Sequence, residues 1–546
     1  MKELSNETKK LISRYKLEKS LLEKKEEENK EISTIHVDEF ASKVATFYEK
    51  LRMIVDWKEE HLIRRTAIIR KLKRRFVEWE IDENISREKM AEPLVLELIR
   101  GGHFPNDKIE ETKIDEVQKV IEKYLFIFKN KTEIKNKREK LQFYNWLIEV
   151  MACEIEETLS PFIKENALID FMYNSMKEKI VLSEKLISEE KITEEEKDTQ
   201  IYIAVCQALF KLDYPIISYN LLKKKYKNWK EVNKDELLKI SQNIVDVWKN
   251  IEKSFSHPLG NKFYTICEKY DTPYLLLGDI LAEENLDELL KKISEPENLE
   301  ILIRKAYNNR LNTLKKRLFR AGLYSTLSIL LGNALSLIIL EIPLAKLITG
   351  VFKPITILVD ILGPTFLMFL FVSTIKLPSK KNLNLVIIET MKIVYETKEK
   401  DKYEIKMPVE KKFKSFIKFI IAFFYLLGAL ITFGFIIWIF NLSGFPPTSM
   451  IINIVFIALI TFAGLGIRKK AEELTIEEKK EGLLGFITDI LLLPVAGVGK
   501  WLSNKWKKYN AIAAFFNALI DMPFSFFVEF LENWRFFLKE KKEEIH

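Results

Sequence analysis

The stretch 419-FIIAFFYLLGALITFGFIIWIFNLSGFPPTSMIINIVFIALITFAGLGI-467 decides the fold, because its 49 positions hold no charged residue and no histidine. About 20 apolar helical residues are enough to cross the hydrocarbon core of a bilayer, which is roughly 30 Å thick. The turn-forming sequence Gly444-Phe445-Pro446-Pro447 lies near the middle of the stretch. The sequence therefore predicts a transmembrane hairpin with helices at 419–440 and 450–467.

Two further apolar stretches precede this hairpin. Residues 321–340 are uncharged and directly follow 304–320, which carry seven Lys or Arg and no acid. Residues 354–375 are interrupted by a single charge, that of Asp360. With the loop 341–353 between them, these stretches predict a first transmembrane hairpin over 321–375.

The distribution of positive charge predicts the orientation of both hairpins, because short cytoplasmic flanks are rich in Lys and Arg. The connector 376–418 holds twelve Lys against six Asp or Glu, and Arg468, Lys469 and Lys470 follow the last span. The turn at 441–450 holds no charge. We therefore expect a multi-pass integral membrane protein with both termini in the cytoplasm, in the cell membrane if the source is prokaryotic.

The first 320 residues predict an all-helical region. They contain four glycines and seven prolines, too few turn-forming residues for a many-stranded fold, and their apolar residues recur at helical spacing. The expected helices include one after Asp38, one over 87–100 that ends at Gly101-Gly102, one over 162–186 and one over 286–293. Residues 1–35 are expected to be a charged helical or disordered segment, and 36–320 an all-helical cytoplasmic domain that could divide near 130. The three cysteines are far apart in helical patterns, so we expect them to be reduced and buried.

The C-terminal part, 468–546, predicts a cytoplasmic or interfacial tail. Its apolar segment 483–498 contains Asp489 and Pro494 and is short for a span, so spanning, re-entrant and interfacial placements all stay open. Residues 511–537 have an apolar and an acidic face and predict an amphipathic helix. Aromatic residues typical of the headgroup boundary are the expected interfacial anchors, namely Trp501, Trp506, Tyr509 and Trp534. The fold class is therefore all-α, a large helical region followed by a polytopic membrane domain and an amphipathic tail.

No catalytic, cofactor or metal site can be assembled from the sequence. The histidines at 36, 61, 103, 257 and 546 form no pair at the spacing that metal ligation requires. The sequence Gly497-Val498-Gly499-Lys500 lacks the earlier glycine and the hydroxyl residue of a phosphate-binding loop. We therefore predict no enzymatic activity, no cofactor and no metal.

One basic stretch predicts a contact with anionic lipid headgroups. Its cationic residues alternate with apolar ones, which is also the pattern of a helix that buries one face and solvates the other. No nucleic-acid-binding motif accompanies it, so nucleic acid is disfavoured as a partner. The residues of this basic patch are Arg64, Arg65, Arg70, Lys71, Lys73, Arg74 and Arg75.

A candidate polar site within the membrane centres on Asp360, because a carboxylate in the apolar core costs several kcal/mol unless it is protonated, paired or hydrated. Asn333 and Asn453 lie in neighbouring predicted spans and could complete such a site. The plainer interpretation is that Asp360 lies near the membrane boundary and pairs with Lys346 or Lys353.

Together these patterns favour a membrane-anchored helical scaffold or binding protein that acts at the cytoplasmic face of a membrane. Its expected partners are membrane lipids and either another protein or a second copy of itself. The alternative is a transporter or channel, as an oligomer, that uses polar positions such as Asp360. The residues do not indicate a substrate, a particular partner or an oligomeric state.

Overall fold

The computed structural model describes most of the chain, namely residues 3–28, 33–37, 43, 60–81, 90–184, 186, 192–283, 286–338, 342–343, 354–395, 401–405, 411–477, 483–508 and short pieces of 530–542. The described chain is predominantly helical, which confirms the all-α class. The helix expected after Asp38 lies outside the described residues, as does most of the segment 511–537.

The elements follow in chain order as α1 (Asn6–Glu28), α2 (Glu60–Ile81), α3 (Ala91–Arg100), α4 (Thr112–Asn130), α5 (Lys137–Leu159), α6 (Ile163–Lys179), β1 (Ile180–Leu182), α7 (Glu194–Phe210), α8 (Tyr214–Lys225), α9 (Lys234–Phe255), α10 (Gly260–Lys269), α11 (Asp271–Glu283), α12 (Leu286–Ile293), α13 (Pro296–Ser336), α14 (Pro354–Ser373), α15 (Lys380–Val394), β2 (Tyr403–Ile405), α16 (Lys411–Leu442), α17 (Pro447–Ala471) and α18 (Leu483–Lys508). A single 3₁₀ turn, Trp229–Glu231, separates α8 from α9.

The chain divides into two compact units. The first unit contains Lys9–Ile180 and Glu190–Glu268, and the second unit contains Met1–Thr8, Val181–Glu189 and Lys269–Asn510. The predicted boundary at residue 320 falls inside α13, which runs without a break from the basic segment into the apolar one.

Helix α5 is the centre of the first unit, because α2, α4 and α8 all pack against it. Its second half carries apolar residues on every side, and Val150, Met151 and Ile155 are all buried. Large aromatic side chains fill the spaces between the helices, and the fully buried ones include Phe143, Trp146, Trp229, Trp248, Tyr124 and Tyr219. Burying an apolar side chain contributes about 1.5–3 kcal/mol, so this cluster is a main source of the unit's stability.

The second unit is built on five long helices. Helix α14 packs against α13 and α17, and α18 packs against α16 and α17. Helices α11 and α15 pack on α13 and on each other. The short strand β1 pairs with β2.

Glycines mark the places where the long helices of the second unit come closest. A Cβ atom at Gly428 would lie 2.5 Å from the carbonyl oxygen of Ile490, and one at Gly464 would lie 2.9 Å from Phe371. Real Cβ atoms do not approach so closely, and only glycine allows these crossings. Similar close approaches join Gly322 to Val372, Gly497 to Tyr425 and Gly499 to Ala458.

Among the residues that the structure describes, two helices are long and apolar enough to cross a membrane. These segments are Lys418–Leu442 and Ser449–Ala471, each with a mean hydropathy of 2.5, and Gly444 forms the turn between them at φ 69°. The apolar stretch Ile361–Ser373 is shorter. The helices predicted at 419–440 and 450–467 therefore exist with the length and composition that spanning requires. The four-span arrangement and its orientation stay predictions.

A buried asparagine connects α15 to the segment that follows α17. The Asn382 side chain is fully buried, and its amide nitrogen donates to the Tyr307 hydroxyl at 3.0 Å and to the Leu474 carbonyl at 2.7 Å. Its oxygen accepts from the backbone nitrogens of Ile476 at 2.8 Å and Glu477 at 3.1 Å. The Asn382 side chain thus donates two hydrogen bonds and accepts two, which is its full capacity. These bonds hold residues 474–477 beside α15.

The sequence misjudged several elements of the first 320 residues. The helix predicted over 162–186 ends at Lys179, because residues 180–182 pair as a strand with Tyr403–Ile405. Helix α10 was not predicted. By contrast, α3 ends at Gly101-Gly102 as predicted, and Gly102 adopts the left-handed φ of 71° that favours glycine.

Candidate ligand-binding cavity

Helix α5 carries four polar residues into the core of the first unit. Cys153, Glu154, Glu156 and Glu157 are each less than a tenth exposed. They are buried because α2, α4 and α8 cover several sides of this helix at once. A buried carboxylate is costly unless it is paired and hydrogen-bonded, so the partners of each acid indicate its role.

Glu154 is fully satisfied. Its carboxylate accepts from the Lys123 ammonium at 2.5 Å, from the Tyr124 hydroxyl at 2.9 Å and from the Trp229 indole nitrogen at 2.8 Å. Lys123 also donates to the Trp229 carbonyl at 2.9 Å. Burial lowers the pKa of Lys123, while Glu154 opposes that shift. This cluster joins α4, α5 and the 3₁₀ turn, and its role is structural.

Glu157 is also satisfied, nearly one turn further along the helix. It accepts from the Tyr219 hydroxyl at 2.5 Å and from the Lys223 ammonium at 2.9 Å, and Lys230 lies 3.4 Å away. Burial alone would raise the pKa of Glu157, but Lys223, Tyr219 and Lys230 hold it below the ordinary value. Glu157 is therefore an ionised acid that ties α5 to α8.

Arg65 of α2 reaches the same helix from a third direction. Its guanidinium lies 2.8 Å from a carboxylate oxygen of Asp213 and 3.7 Å from the sulfur of Cys153. Burial raises the pKa of the Cys153 thiol to about 12, so this cysteine is uncharged near neutral pH. The three cysteines are buried and free of disulfide bonds, as predicted.

A cavity of about 260 Å³ lies between α2, α5, α6, α7 and α8. Its polar lining consists of Arg64, Arg65, Glu156, Glu157, Glu165, Asn166, Tyr219, Asn220 and Lys223. Its apolar lining consists of Phe162, Ile169, Phe210, Leu212 and Ile216. A concave, mostly apolar site with a few convergent polar groups is the usual form of a small-molecule site.

Three polar groups in this lining are left open. Among the residues that the structure describes, none hydrogen-bonds or pairs at short range with the side chains of Glu156 or Asn220, which are 4% and 6% exposed. No acid of the described chain pairs with Arg64 at short range, although Arg64 interacts electrostatically with Glu156, and its guanidinium rests over the Phe104 ring at 5.0 Å from the centroid. Buried polar groups are almost always hydrogen-bonded, so such exceptions point to a bound molecule or ordered water.

The environment of Glu156 explains the direction of its pKa shift. Burial raises the pKa of the Glu156 carboxyl above its ordinary value, although Arg65 and Arg64 both act in the opposite direction. The neighbouring acid Glu157 has the opposite shift, since its own cations lie in direct contact. Adjacent acids on one helix thus have opposite pKa shifts because only Glu157 has cations in direct contact.

The structure places the basic patch partly inside the first unit. Arg65 and Lys71 are buried, and Lys71 and Arg74 lie 3.2 and 2.8 Å from the carboxylate of Glu97 on α3. Arg64 lines the cavity, Arg70 and Lys73 are half-buried, and the side chain of Arg75 lies outside the described residues. These residues share one helix, but they do not form a single solvent-facing surface. Whether they contact lipid stays a prediction.

The intramembrane candidates are only partly described. The Asp360 side chain lies outside the described residues, although α14 includes its backbone. Asn453 is buried and donates to the carbonyl of Ser449 on its own helix at 3.0 Å, and Asn333 is buried on α13. The structure does not bring these three together as a described site.

The predicted interfacial anchors show a similar division. Trp501 on α18 is 58% exposed, and Trp534 is 49% exposed beside Phe530 and Phe537. The side chain of Trp506 and all of Tyr509 lie outside the described residues.

Sequence reasoning missed the cavity and its acids. The run 150-VMACEIEETL-159 offered a signal, since apolar residues occupy every side of this helix and leave its acids no solvated face. A helix that is apolar all round is buried, so its charged residues need partners or a ligand. No protein-family model, curated protein or solved structure matches this chain. Within the described residues, no three His, Cys, Asp or Glu side chains form a metal-binding group.

Proposed function

We propose that this protein is a membrane-anchored binding protein. The second unit inserts in the bilayer through two helical hairpins, α13 with α14 and α16 with α17. The first unit is the binding part and lies on the cytoplasmic side. The cavity described above supports the binding role, and the long apolar helices support the membrane role.

The observation that carries this proposal is the uncovered apolar surface of α16. Only 6% of the most apolar window of Lys418–Leu442 is buried, so the described chain, including α18, leaves most of this helix uncovered. Exposing a large apolar side chain to water costs about 1.5–3 kcal/mol, and the exposed ones on α16 include Phe419, Ile421, Leu426, Leu430, Phe435, Trp438 and Leu442. A patch of this size needs a cover, and a lipid bilayer matches both its length and its uniform apolarity.

Two further features of the second unit agree with a bilayer. Close helix crossings at glycine are the usual form of helix packing in lipid, where small residues allow backbones to approach. Lysines lie at the start of α16 and the sequence Arg468-Lys469-Lys470 lies at the end of α17, whereas the turn between these helices is uncharged. This asymmetry supports a cytoplasmic location for both basic ends.

The proposal predicts opposite labelling of two single cysteines, Pro446→Cys in the uncharged turn and Lys398→Cys in the basic connector. In intact cells an impermeant thiol reagent should label position 446 and spare position 398, which should react only after permeabilisation. The unaltered chain is a low-background control, since Cys153, Cys206 and Cys267 are all buried. External labelling at 398 with none at 446 would reverse the orientation.

A second measurement separates insertion from surface attachment. Helices that span a bilayer stay in the membrane fraction after alkaline carbonate extraction, whereas peripheral proteins are released. We expect the full chain to stay with the membrane. Release into the soluble fraction would overturn the membrane role and would leave the cavity of the first unit unaffected.

A further inference from the structure

We infer that the cavity of the first unit binds a zwitterionic α-amino acid with an apolar side chain. Its carboxylate would lie at Arg64, its ammonium group at Glu156, and its side chain against the apolar wall formed by Phe162, Ile169 and Phe210. This inference rests on the proposed function only in taking the first unit as the binding part.

The open groups of the cavity carry the first step. Arg64 and Glu156 interact electrostatically but form no hydrogen bond or ion pair with a described side chain, so both keep bonding positions for a ligand in the cavity that they line. Guanidinium groups bind carboxylates through paired hydrogen bonds, and carboxylates accept charge-assisted bonds from ammonium groups. The buried amide of Asn220 can donate to a carboxylate or accept from an ammonium group. A ligand with both charges would satisfy all three residues at once.

The charge balance of the lining carries the second step. Three cationic side chains (Arg64, Arg65, Lys223) face three acidic ones (Glu156, Glu157, Glu165). Arg65, Glu157 and Lys223 already have close partners of opposite charge, and Glu165 is exposed to solvent. A simple anion would lie against the unpaired Glu156, and a simple cation would lie against Arg64, so either would leave a buried charge opposed. A neutral molecule with two opposite charges avoids both costs.

The size and apolar wall of the cavity carry the third step. At roughly 30 Å³ per water molecule, a cavity of about 260 Å³ has the volume of about nine water molecules, and covalently bonded atoms pack more closely than separate waters. Ile169 and Ile216 are buried within the wall, and Phe162 and Phe210 are half-buried beside them. An apolar amino acid of the size of leucine or phenylalanine fits this space, and its side chain would gain from contact with the wall.

The test is ligand binding to the full chain in mild detergent. Isothermal titration and thermal unfolding would be measured with L-valine, L-leucine, L-isoleucine, L-methionine and L-phenylalanine, at concentrations up to about 10 mM. We expect saturable binding and a raised unfolding temperature with at least one of them. If none of the five binds saturably, the inference is wrong.

Truncated probes test the two charges separately. 4-Methylpentanoate has the body and carboxylate of leucine without the amine, and isopentylamine has the amine without the carboxylate. Each should bind at least about tenfold more weakly than leucine, because each leaves one buried charge of the site unpaired. Equal binding of either probe would show that the site recognises a single charge and would contradict a zwitterion site.

Two variants assign the residues. Glu156→Gln should weaken binding about tenfold or more yet raise the unfolding temperature of the ligand-free protein, because it removes an unpaired buried charge. Arg64→Gln should weaken binding similarly, and it is the second variant in case the first folds poorly. Glu139→Gln is the control on the same helix, because Glu139 pairs with Lys249 at 2.7 Å at the surface. This variant should bind the amino acid as tightly as the unaltered protein.

A ligand-binding role and a structural role of Glu156 predict opposite changes in stability on substitution. The unfolding temperature of Glu156→Gln therefore distinguishes between them. A merely structural acid would lose stability on substitution and leave the affinity of the folded protein unchanged. Unchanged affinity in both Glu156→Gln and Arg64→Gln would overturn the assignment. Labelling of the membrane turn and ligand binding are separate experiments, so failure of the amino-acid site would leave membrane anchoring standing.

Discussion

Replacing Glu154 with leucine is expected to lower the free energy of unfolding of the first unit by about 3–5 kcal/mol. Lys123 and Glu154 are 9% and 2% exposed in their side chains, so the variant leaves a buried ammonium without its counter-ion. It also removes the acceptor of the Tyr124 hydroxyl and the Trp229 indole. Marginal stability is common in proteins, so a loss of this size can unfold the unit altogether. Urea unfolding followed by tryptophan fluorescence measures the change.

A matched variant and a paired replacement make this prediction sharp. Glu139→Leu changes the same residue type on the same helix, but its partner Lys249 is half-exposed, so its loss should cost less than about 1 kcal/mol. The double variant Lys123→Met with Glu154→Leu should recover part of the lost stability, because it removes the stranded charge. If Glu154→Leu and Glu139→Leu have the same effect, the buried cluster contributes no more than a surface pair.

Long uniform patterns were the reliable part of the sequence. The two long apolar helices, α16 and α17, were predictable because 49 uncharged positions have few alternatives, and Gly444-Phe445-Pro446-Pro447 could form only a turn between two helices. Helix α12 was predicted with the bounds that the structure shows, Leu286–Ile293, since its apolar spacing is regular over two turns. The interactions that form these helices are either local or made with the surrounding solvent. The spacing of residue types along the sequence reflects both kinds of interaction.

Elements that depend on distant partners were not predictable. The end of α6 at Lys179 depends on strand β2, which lies more than two hundred residues later in the chain. Helix α10 begins at Gly260 and spans only ten residues, too short for its apolar spacing to stand out. Propensity favours continuing α6 through residue 186, and tertiary pairing overrides it.

The candidate site was hidden for a related reason. Glu154, Glu156 and Glu157 look in sequence like a solvated acidic run, and Arg64 and Arg65 look like a solvated basic one. Their burial depends on which helices surround α5, and their different roles depend on which acid meets Lys123, Lys223 or nothing. Residue type and spacing contain neither fact. Only the described side-chain contacts separate the two structural acids from the open one.

Helix α18 poses the remaining question of placement in the second unit, because the sequence left its apolar segment open between spanning, re-entrant and interfacial positions. In the structure it packs along both α16 and α17. The Thr432 hydroxyl on α16 donates to the carbonyl of Leu491 at 3.0 Å, and Gly499 faces Ala458 and Phe462 near the middle of α17. We therefore expect α18 to depend on these contacts rather than on the membrane surface.

Substituting Gly499 with alanine tests this placement, because the packing predicts the direction of the change in stability. Alanine in place of glycine within a helix is ordinarily stabilising by about 0.8–1 kcal/mol. A Cβ at Gly499 would lie 2.8 Å from the Cβ of Phe462 and would overlap the backbone carbonyl of Ala458, which cannot move aside as a flexible side chain can. Overpacking of this kind costs about 1–3 kcal/mol and at times more. Gly499→Ala should therefore destabilise the protein, which is the opposite of the usual effect.

The matched control is Gly434→Ala on α16, where a Cβ would meet no atom within 4 Å. Gly434→Ala should unfold at the same temperature as the unaltered chain or higher, whereas Gly499→Ala should unfold several degrees lower and give less monodisperse protein in size-exclusion chromatography. Gly428→Ala, which meets the Ile490 carbonyl at 2.5 Å, should behave like Gly499→Ala. Equal stability of Gly499→Ala and Gly434→Ala would mean that α18 does not pack on α17 at the position of Gly499. An interfacial position would then be the better description of α18, because a helix on the membrane surface has no backbone pressed against Gly499.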